Sequence, residues 1–168
     1  MNARLTFVLG GARSGKSRFA EIVVEAYPAP WLYIATAQAF DDEMTERIAI
    51  HRARRDGRWT TCDAPHNLAA RVMAMPDGPM LIDCLTLWLT NRMLADAPIE
   101  AEGDALVAAL KARGAPTVVV ANEVGLGLVP ETPLGRAFRD AAGRLNQKVA
   151  AAADAVHFVA AGLSLRMK

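Results

Sequence analysis

The 168-residue sequence has almost no net charge, only two cysteines and no long hydrophobic segment. Its 19 Lys and Arg residues nearly balance its 18 Asp and Glu residues. The resulting net charge of +1 gives no electrostatic reason to expect a nucleic-acid or membrane partner. Cys62 and Cys84 lie far apart and lack metal-ligand spacing, which favours reduced thiols in a cytoplasmic protein. No apolar run reaches the length that spans a bilayer, so we expect no membrane-spanning segment.

The sequence also lacks internal repeats and low-complexity tracts. Because the N-terminus runs straight into an apolar segment at residues 5–9, we expect no signal peptide. The apolar fraction of 52% and the charged fraction of 22% are ordinary for a globular α/β protein. A chain of this length can build one hydrophobic core, so we predict a single domain over residues 1–168.

A glycine-rich motif follows the first apolar segment. Residues 10–17 fit the phosphate-loop pattern G-x-x-x-x-G-K-[ST], between a predicted strand at 5–9 and a predicted helix at 17–26. In that context backbone N–H groups can surround phosphate oxygens, Lys16 can reach the β- and γ-phosphates, and the Ser17 hydroxyl can bind Mg²⁺. The motif therefore predicts a nucleotide site formed by Gly10, Gly11, Ala12, Arg13, Ser14, Gly15, Lys16 and Ser17.

Further apolar segments alternate with segments of helical periodicity. We predict strands at 31–35, 58–63, 80–84, 117–121 and 155–160. Helices are predicted at 41–55, 67–75, from 85 onward, at 99–113 and at 132–153, the last with Thr132 as its cap. Strands that alternate with helices indicate an α/β fold with a mainly parallel sheet and helices on both faces.

Polar residues follow several predicted strands, at the edge where α/β proteins bind ligands. Asp83 ends an apolar strand, as the Mg²⁺-binding carboxylate of a P-loop NTPase does, although it could also cap the next helix. Glu123 follows another strand and could contact substrate or metal, or act as a structural cap. Residues 36–38 could form part of the same edge or be an ordinary strand end. These features predict a P-loop protein that uses Mg²⁺ and a nucleoside triphosphate, and they leave its second substrate open.

A basic helical face surrounds one histidine. At helical spacing His51 has Arg47 on one side and Arg54 and Arg55 on the other. Nearby positive charge disfavours the imidazolium, so a neutral His51 could act as a nucleophile or base while the arginines attract phosphate. The alternative is a solvated basic face with an incidental histidine. His66 and His157, the other two histidines, are predicted to be structural.

Short motifs in a fixed order cover nearly the whole chain: residues 10–17, 33–37, 41–44, 47–48 with His51, 83–88 with Asn91, 122–125, 129–130 and 143–147. In this order they resemble the bifunctional adenosylcobinamide kinase/adenosylcobinamide-phosphate guanylyltransferase family of cobalamin biosynthesis. The resemblance implies a RecA-like P-loop fold and a homotrimer in the cytoplasm. Ser164 departs from the pattern, which has Pro there, but it lies outside the proposed chemistry.

The resemblance also implies two activities. One phosphorylates the aminopropanol hydroxyl of adenosylcobinamide with ATP or GTP. The other transfers GMP from GTP to that phosphate through a GMP-histidine intermediate, for which the matching residue is His51, with Mg²⁺ as the cofactor. The family's nucleotide contacts outside the phosphate loop match Ala35, Thr36, Ala37, Arg52, Ala53, Arg54, Arg55, Asp63 and Asp83.

Two other classes of function are compatible with parts of the sequence. A monofunctional P-loop kinase for another small metabolite would use the phosphate loop and Asp83, but it would leave the basic face around His51 without a role. A non-catalytic nucleotide-binding module would bind without turnover, which the combination of Lys16, Ser17 and Asp83 disfavours. A nucleic-acid-handling ATPase is disfavoured by the near-neutral charge.

Overall fold

A computed structural model of the chain describes residues 3–39, 42–53 and 55–168, with the side chains of residues 43, 44, 47 and 51 outside the description. The elements in chain order are β1 (Leu5–Gly10), α1 (Lys16–Glu25), β2 (Trp31–Ala35), α2 (Asp42–Ala53), β3 (Trp59–Asp63), α3 (Leu68–Ala74), β4 (Met80–Asp83), α4 (Leu85–Leu94), α5 (Ile99–Ala112), β5 (Thr117–Asn122), α6 (Pro133–Ala152), β6 (Ala155–Ala160) and β7 (Leu163–Arg166).

All seven strands form one sheet in the order β3-β2-β4-β5-β1-β6-β7. Every neighbouring pair is parallel except β6 and β7, which pair antiparallel. The predicted α/β class with a mainly parallel sheet is therefore confirmed. The predicted strands and helices are all present, and their ends differ from the predictions by a few residues at most.

β7 is the element that the sequence analysis did not predict. Ala161 and Gly162 both have positive φ, at 52° and 78°, and form the two-residue turn that folds β7 back on β6. The Ala-Gly pair is a weaker turn signal than Asn-Gly, and the four residues of β7 are all exposed. For these reasons neither the turn residues nor the hydrophobicity pattern predicted strand β7.

The core lies on both faces of the sheet. Successive strand residues point to opposite faces, so Phe7 faces a cluster built with α3, α4, α5 and α6, while Val8 faces a cluster built with α1. This arrangement explains why the parallel strands are apolar along nearly their whole length. Among the described side chains of α2, none belongs to either cluster. None of the helices in the described part of the chain combines the length and apolarity needed to cross a membrane.

Helix α6 begins as predicted. Thr132 caps it, because its Oγ1 accepts a hydrogen bond from the Gly135 N–H at 3.1 Å, and Pro133 occupies the first helical position. Asn67 stands at the cap position of α3, but its side chain makes no capping hydrogen bond to that helix.

Gly10→Ala tests the packing at the end of β1. A Cβ at Gly10 would collide with the backbone carbonyl oxygen of Val159 on β6, which cannot move without disturbing the sheet. We expect Gly10→Ala to lower the free energy of unfolding by about 1–3 kcal/mol, as for other overpacked positions. Gly11→Ala is the matched control, since a Cβ there would meet nothing within 4 Å. Equal urea-unfolding midpoints for the two variants would contradict this account.

Candidate active site

A cleft of about 1070 Å³ lies at the carboxyl edge of the sheet. Its walls come from the β1–α1 loop, the ends of β2, β4 and β5, and helix α2. Asn122 and Asp83 lie at the floor of this edge because β5 stands between β1 and β4 in the sheet. The parallel register aligns Gly10 with Asn122 and Asp83 with Val120, which brings loops distant in sequence to one place.

The phosphate loop is held by its own backbone. Gly15 has a φ of 94° and occupies the N-cap of α1, a conformation that strains any residue with a side chain. The Lys16 ammonium donates to the Gly11 carbonyl at 3.2 Å, which keeps it folded over the loop. The Ser14 carbonyl accepts from the Gly162 N–H at 2.8 Å, so the β6–β7 turn supports the loop from behind. The residues at the start of α1 line the cleft, and the N-terminus of a helix is a ready anion site.

Asp83 ends β4 and lines the cleft. The Tyr33 hydroxyl donates to Asp83 Oδ2 at 3.1 Å. Helix α4 begins at Leu85 with Cys84 at its N-cap, so the alternative role of Asp83 as the cap of that helix is wrong. Burial, followed by the charge of Asp83, raises the pKa of Tyr33 well above its usual value, and the hydroxyl therefore remains a donor. The same two causes raise the pKa of the buried Cys84 thiol to about 11.

Two arginines line the cleft: Arg52 in the last turn of α2, and Arg55 just beyond the end of that helix. Arg52 donates to both oxygens of Asp63 at 3.1 Å and so joins α2 to the end of β3. The Arg55 guanidinium lies over the Tyr33 ring, 3.6 Å from its centroid. Within the described part of the chain, Arg55 Nε and Nη1 are buried without a hydrogen-bond partner. A guanidinium that lines the cleft in this way suits the oxygens of a phosphate.

Most of the predicted site residues come together in this cleft. The predicted residues that line it are Arg13, Ser14, Gly15, Lys16, Ser17, Ala35, Ala37, Arg52, Arg55, Asp63 and Asp83. The backbone of His51 lies in α2, and its neighbours Ile50 and Arg52 both line the cleft, but the His51 side chain is outside the described residues, as is all of Arg54. The predicted residues that are not part of the lining are Gly10, Gly11, Ala12, Thr36 and Ala53.

Thr36 has a structural position. It is fully buried, and its Oγ1 donates to the Cys84 carbonyl at 2.6 Å and accepts from the Cys84 N–H at 2.8 Å. Its own carbonyl accepts from the Asn91 side chain at 2.8 Å. Thr36 therefore fixes the backbone that follows Asp83, and its side chain does not reach the cleft.

The structure adds residues that the sequence analysis did not select as site residues. Tyr33 and Asn122 line the cleft, and no residue in the described ranges bonds to the buried Asn122 Oδ1. The signal for Tyr33 was its place two residues before the strand end, on the same side as Ala35. Glu123 accepts a hydrogen bond from the Gly125 N–H within its own loop, which is the structural alternative considered for it.

The two histidines predicted to be structural make packing contacts. His157 packs against Phe19 with 5.0 Å between ring centroids and the planes tilted by 50°, and burial, followed by the charge of Arg166, lowers the pKa of His157. The His66 ring contacts Gln38 and Arg92, and its carbonyl accepts from the Trp88 indole N–H at 2.8 Å. Neither residue lines the cleft.

The cleft residues fit Mg²⁺ bound together with a nucleotide. Within residues 3–39, 42–53 and 55–168, no three His, Cys, Asp or Glu side chains form a metal-binding group. Mg²⁺ usually takes one or two protein ligands and completes its shell with water and substrate phosphates. Asp83 and Ser17 line the same cleft as Lys16 and suit that mode of binding.

A phosphate loop after β1, an aspartate at the end of β4 and the strand order define a P-loop α/β protein of the RecA-like type. A solved structure described as a prototypical ATPase from the type III secretion system of pathogenic bacteria has the same fold. Its TM-score is 0.54 at 12% identity, with 97% of this chain and 56% of that chain covered. The chain belongs to the family described as cobinamide kinase / cobinamide phosphate guanyltransferase, whose sequence model matches residues 6–167.

Relatives of known name agree with this family. The chain is 46% identical over 165 residues to the bifunctional adenosylcobalamin biosynthesis protein CobP of Pseudomonas aeruginosa, with 96% of this chain and 95% of the relative covered. It is 41% identical over 181 residues to the bifunctional adenosylcobalamin biosynthesis protein CobU of Salmonella typhimurium, with 98% and 99% covered.

Thr36→Val tests the structural role of Thr36. Valine keeps the volume but leaves the N–H and carbonyl of Cys84 without their buried partner. We expect a loss of about 1–3 kcal/mol in the free energy of unfolding, the usual cost of an unsatisfied buried group. Thr36→Ser keeps the hydroxyl and is the control. If nucleotide affinity falls in both variants while stability is unchanged, Thr36 acts as a ligand contact instead.

Proposed function

We propose that the chain is a bifunctional enzyme of cobalamin biosynthesis. It phosphorylates adenosylcobinamide with ATP or GTP, and it then transfers GMP from GTP to the product to give adenosylcobinamide-GDP. The observation that carries this proposal is one cleft in which the phosphate loop and Asp83 face the arginine-bearing helix α2. A monofunctional kinase needs only the phosphate loop and Asp83. The family membership supports a role for helix α2 in a second reaction.

In the kinase reaction the acceptor is the aminopropanol hydroxyl. Its oxygen forms a bond to the γ-phosphorus as the bond to the β-γ bridging oxygen breaks, and the hydroxyl proton is released. Lys16 and the N–H groups at the start of α1 hold the phosphates in line and offset the charge that spreads over their oxygens. Ser17 and Asp83 would hold Mg²⁺, which supplies further neutralisation of phosphate charge when bound.

In the guanylyl transfer His51 is the proposed nucleophile. Its neutral imidazole nitrogen bonds to the α-phosphorus of GTP, and the bond to the β-phosphate oxygen breaks to release pyrophosphate. A phosphate oxygen of adenosylcobinamide phosphate then attacks the same phosphorus, the N–P bond breaks, and the imidazole is regenerated. Arg55 has buried N–H groups that no described residue pairs with and that suit the phosphate oxygens, and the Arg52–Asp63 pair joins α2 to β3.

The remaining site assignments follow the resemblance. We propose that residues 10–17, Ala35, Ala37, Ala53, Arg54 and Asp63 contact nucleotide, and Thr36 contributes through its backbone position. We further propose that residues 1–168 act as one catalytic domain, in a homotrimer, in the cytoplasm.

A product experiment separates this function from a monofunctional kinase. Purified protein is incubated with adenosylcobinamide, GTP and Mg²⁺, and the products are identified by mass spectrometry. The proposal expects both the phosphate and the GDP conjugate of adenosylcobinamide. A protein that forms only the phosphate is a monofunctional kinase, and one that binds GTP without either product is a binding module.

Lys16→Ala tests the shared nucleotide site. Because both reactions place a triphosphate on the same loop, the loss of the ammonium should lower kcat/KM of both by at least about 100-fold, a typical cost for removing one electrostatic contact in the transition state. Lys111→Ala, an exposed substitution on α5, is the control. Near-normal turnover of either reaction by Lys16→Ala would place that reaction at another site.

His51→Ala tests the covalent intermediate. Protein incubated with Mg²⁺ and GTP labelled at the α-phosphate, without cobinamide, should retain label in an acid-labile, alkali-stable adduct on the peptide that contains His51. Label at the γ-phosphate should not be retained. His51→Ala should abolish both the adduct and GMP transfer, because no imidazole remains to attack the α-phosphorus.

His66→Ala is the matched control, since His66 lies outside the cleft lining. It should retain α-label at the parental level. Uptake of α-label by His51→Ala, or its loss from His66→Ala, would assign the nucleophile to a different residue.

A further inference from the structure

Tyr33 contacts both functional halves of the cleft. We propose that it is a positioning residue that orients the Asp83 carboxylate through its hydroxyl and holds the Arg55 guanidinium on its ring. It thereby couples the metal-binding end of β4 to the end of the helix that carries His51. The inference rests on the proposed function, since the roles of Asp83 and Arg55 are part of it.

The hydroxyl contact fixes the carboxylate. Tyr33 is 3% exposed, and its side chain packs in the core cluster that includes Val24 of α1 and Leu81 of β4. The hydroxyl donates to Asp83 Oδ2 at 3.1 Å from a strand paired directly with β4. A donor held this firmly restricts rotation of the carboxylate plane, so one oxygen is engaged by the protein while the group still faces the cleft.

The ring contact holds the guanidinium of Arg55. Its central carbon lies 3.6 Å from the Tyr33 ring centroid, and its Nε and Nη1 atoms are buried without a hydrogen-bond partner among the residues that the structure describes. A buried charged group without hydrogen bonds is costly unless something compensates for it. The ring face supplies part of that compensation, and it leaves the N–H groups of Arg55 available for phosphate oxygens.

The ring itself is fixed from a third side. Trp59 of β3 meets Tyr33 edge-on, with 6.1 Å between ring centroids and 78° between planes. Trp59 in turn packs on Trp31 at 5.3 Å. Tyr33 thus belongs to an aromatic cluster that spans β2 and β3, so a change at the ring affects the position of Arg55.

The hydroxyl acts on Asp83 as a hydrogen-bond donor, through its contact with Asp83 Oδ2. Because this contact belongs to the protein alone, it can hold the carboxylate in either reaction.

Substitution separates the two contacts. Tyr33→Phe removes the hydroxyl and keeps the ring, so the Mg²⁺ concentration for half-maximal kinase activity should rise about tenfold, as expected for the loss of one hydrogen bond to a charged group. Asp83→Asn should also raise this Mg²⁺ concentration. The double variant should raise it by less than the product of the two single effects, because the two residues act through one contact. Tyr27→Phe changes the other tyrosine, whose hydroxyl donates to Ala3, and is the control.

Tyr33→Leu removes the ring as well. At saturating Mg²⁺ it should retain about tenfold less α-label from GTP than Tyr33→Phe, and Arg55→Ala should show the same loss. Adding Arg55→Ala to Tyr33→Leu should cause little further loss of retained α-label. Arg55→Ala leaves the core untouched, so it tests the ring contact even if Tyr33→Leu unfolds.

The outcomes distinguish this inference from the proposed function. If Asp83→Asn shifts the Mg²⁺ titration and Tyr33→Phe does not, the positioning role of Tyr33 is wrong while the metal role of Asp83 stands. If neither shifts it, the metal role itself is wrong, and the inference falls with it. If Tyr33→Leu and Arg55→Ala multiply in their effects on labelling, the ring does not act through Arg55.

Discussion

The parallel hydrogen bonding of β1 with β5, and of β5 with β4, is the constraint on which the cleft depends. It places Gly10 beside Asn122 and Asp83 beside Val120, so the phosphate loop and the aspartate end at the same edge of the sheet. These strands are nearly fully buried, and a shift of one residue would turn each apolar side chain toward the opposite core cluster. The core and the site are therefore fixed by the same register.

Around this edge, buried polar contacts hold the backbone while charged groups remain available. Thr36 and Asn91 satisfy the turns after β2 and β4, and Arg113 donates to the carbonyls of Met75, Pro76 and Gly78 before β4 begins. Among the described residues, buried polar atoms without partners lie on Ser14, Arg55 and Asn122 of the cleft, and also away from it on Glu21, Arg113 and His157. Because native proteins leave few such groups unsatisfied, the three at the cleft suit a polar ligand.

The fold could be predicted from the sequence because its signals are local and strong. Long apolar strands, helix breaks at Gly and Pro, and the phosphate-loop motif each mark an element, and alternation of strands and helices limits the topology. Strand β7 could not be predicted, because it is held by pairing with β6 and its own hydrophobicity does not mark it as a strand.

The role of Tyr33 could not be predicted either, and the sequence favoured an ordinary apolar strand residue. Its contacts with Asp83 and Arg55 depend on neighbours in the sheet that only the tertiary structure specifies. The family resemblance placed Thr36 among the nucleotide contacts, while its buried side chain bonds to the backbone of Cys84.

The β6–β7 turn has a consequence for the order in which the site is built. The phosphate loop is synthesised well before the Gly162 N–H that supports Ser14, and before β6, one of the two strands that flank β1. Such contacts between distant parts of a chain form slowly and carry a high entropic cost. The emerging polypeptide therefore cannot complete its nucleotide site until residues 155–166 have left the ribosome, and any nascent intermediate exposes β1 along one side until then.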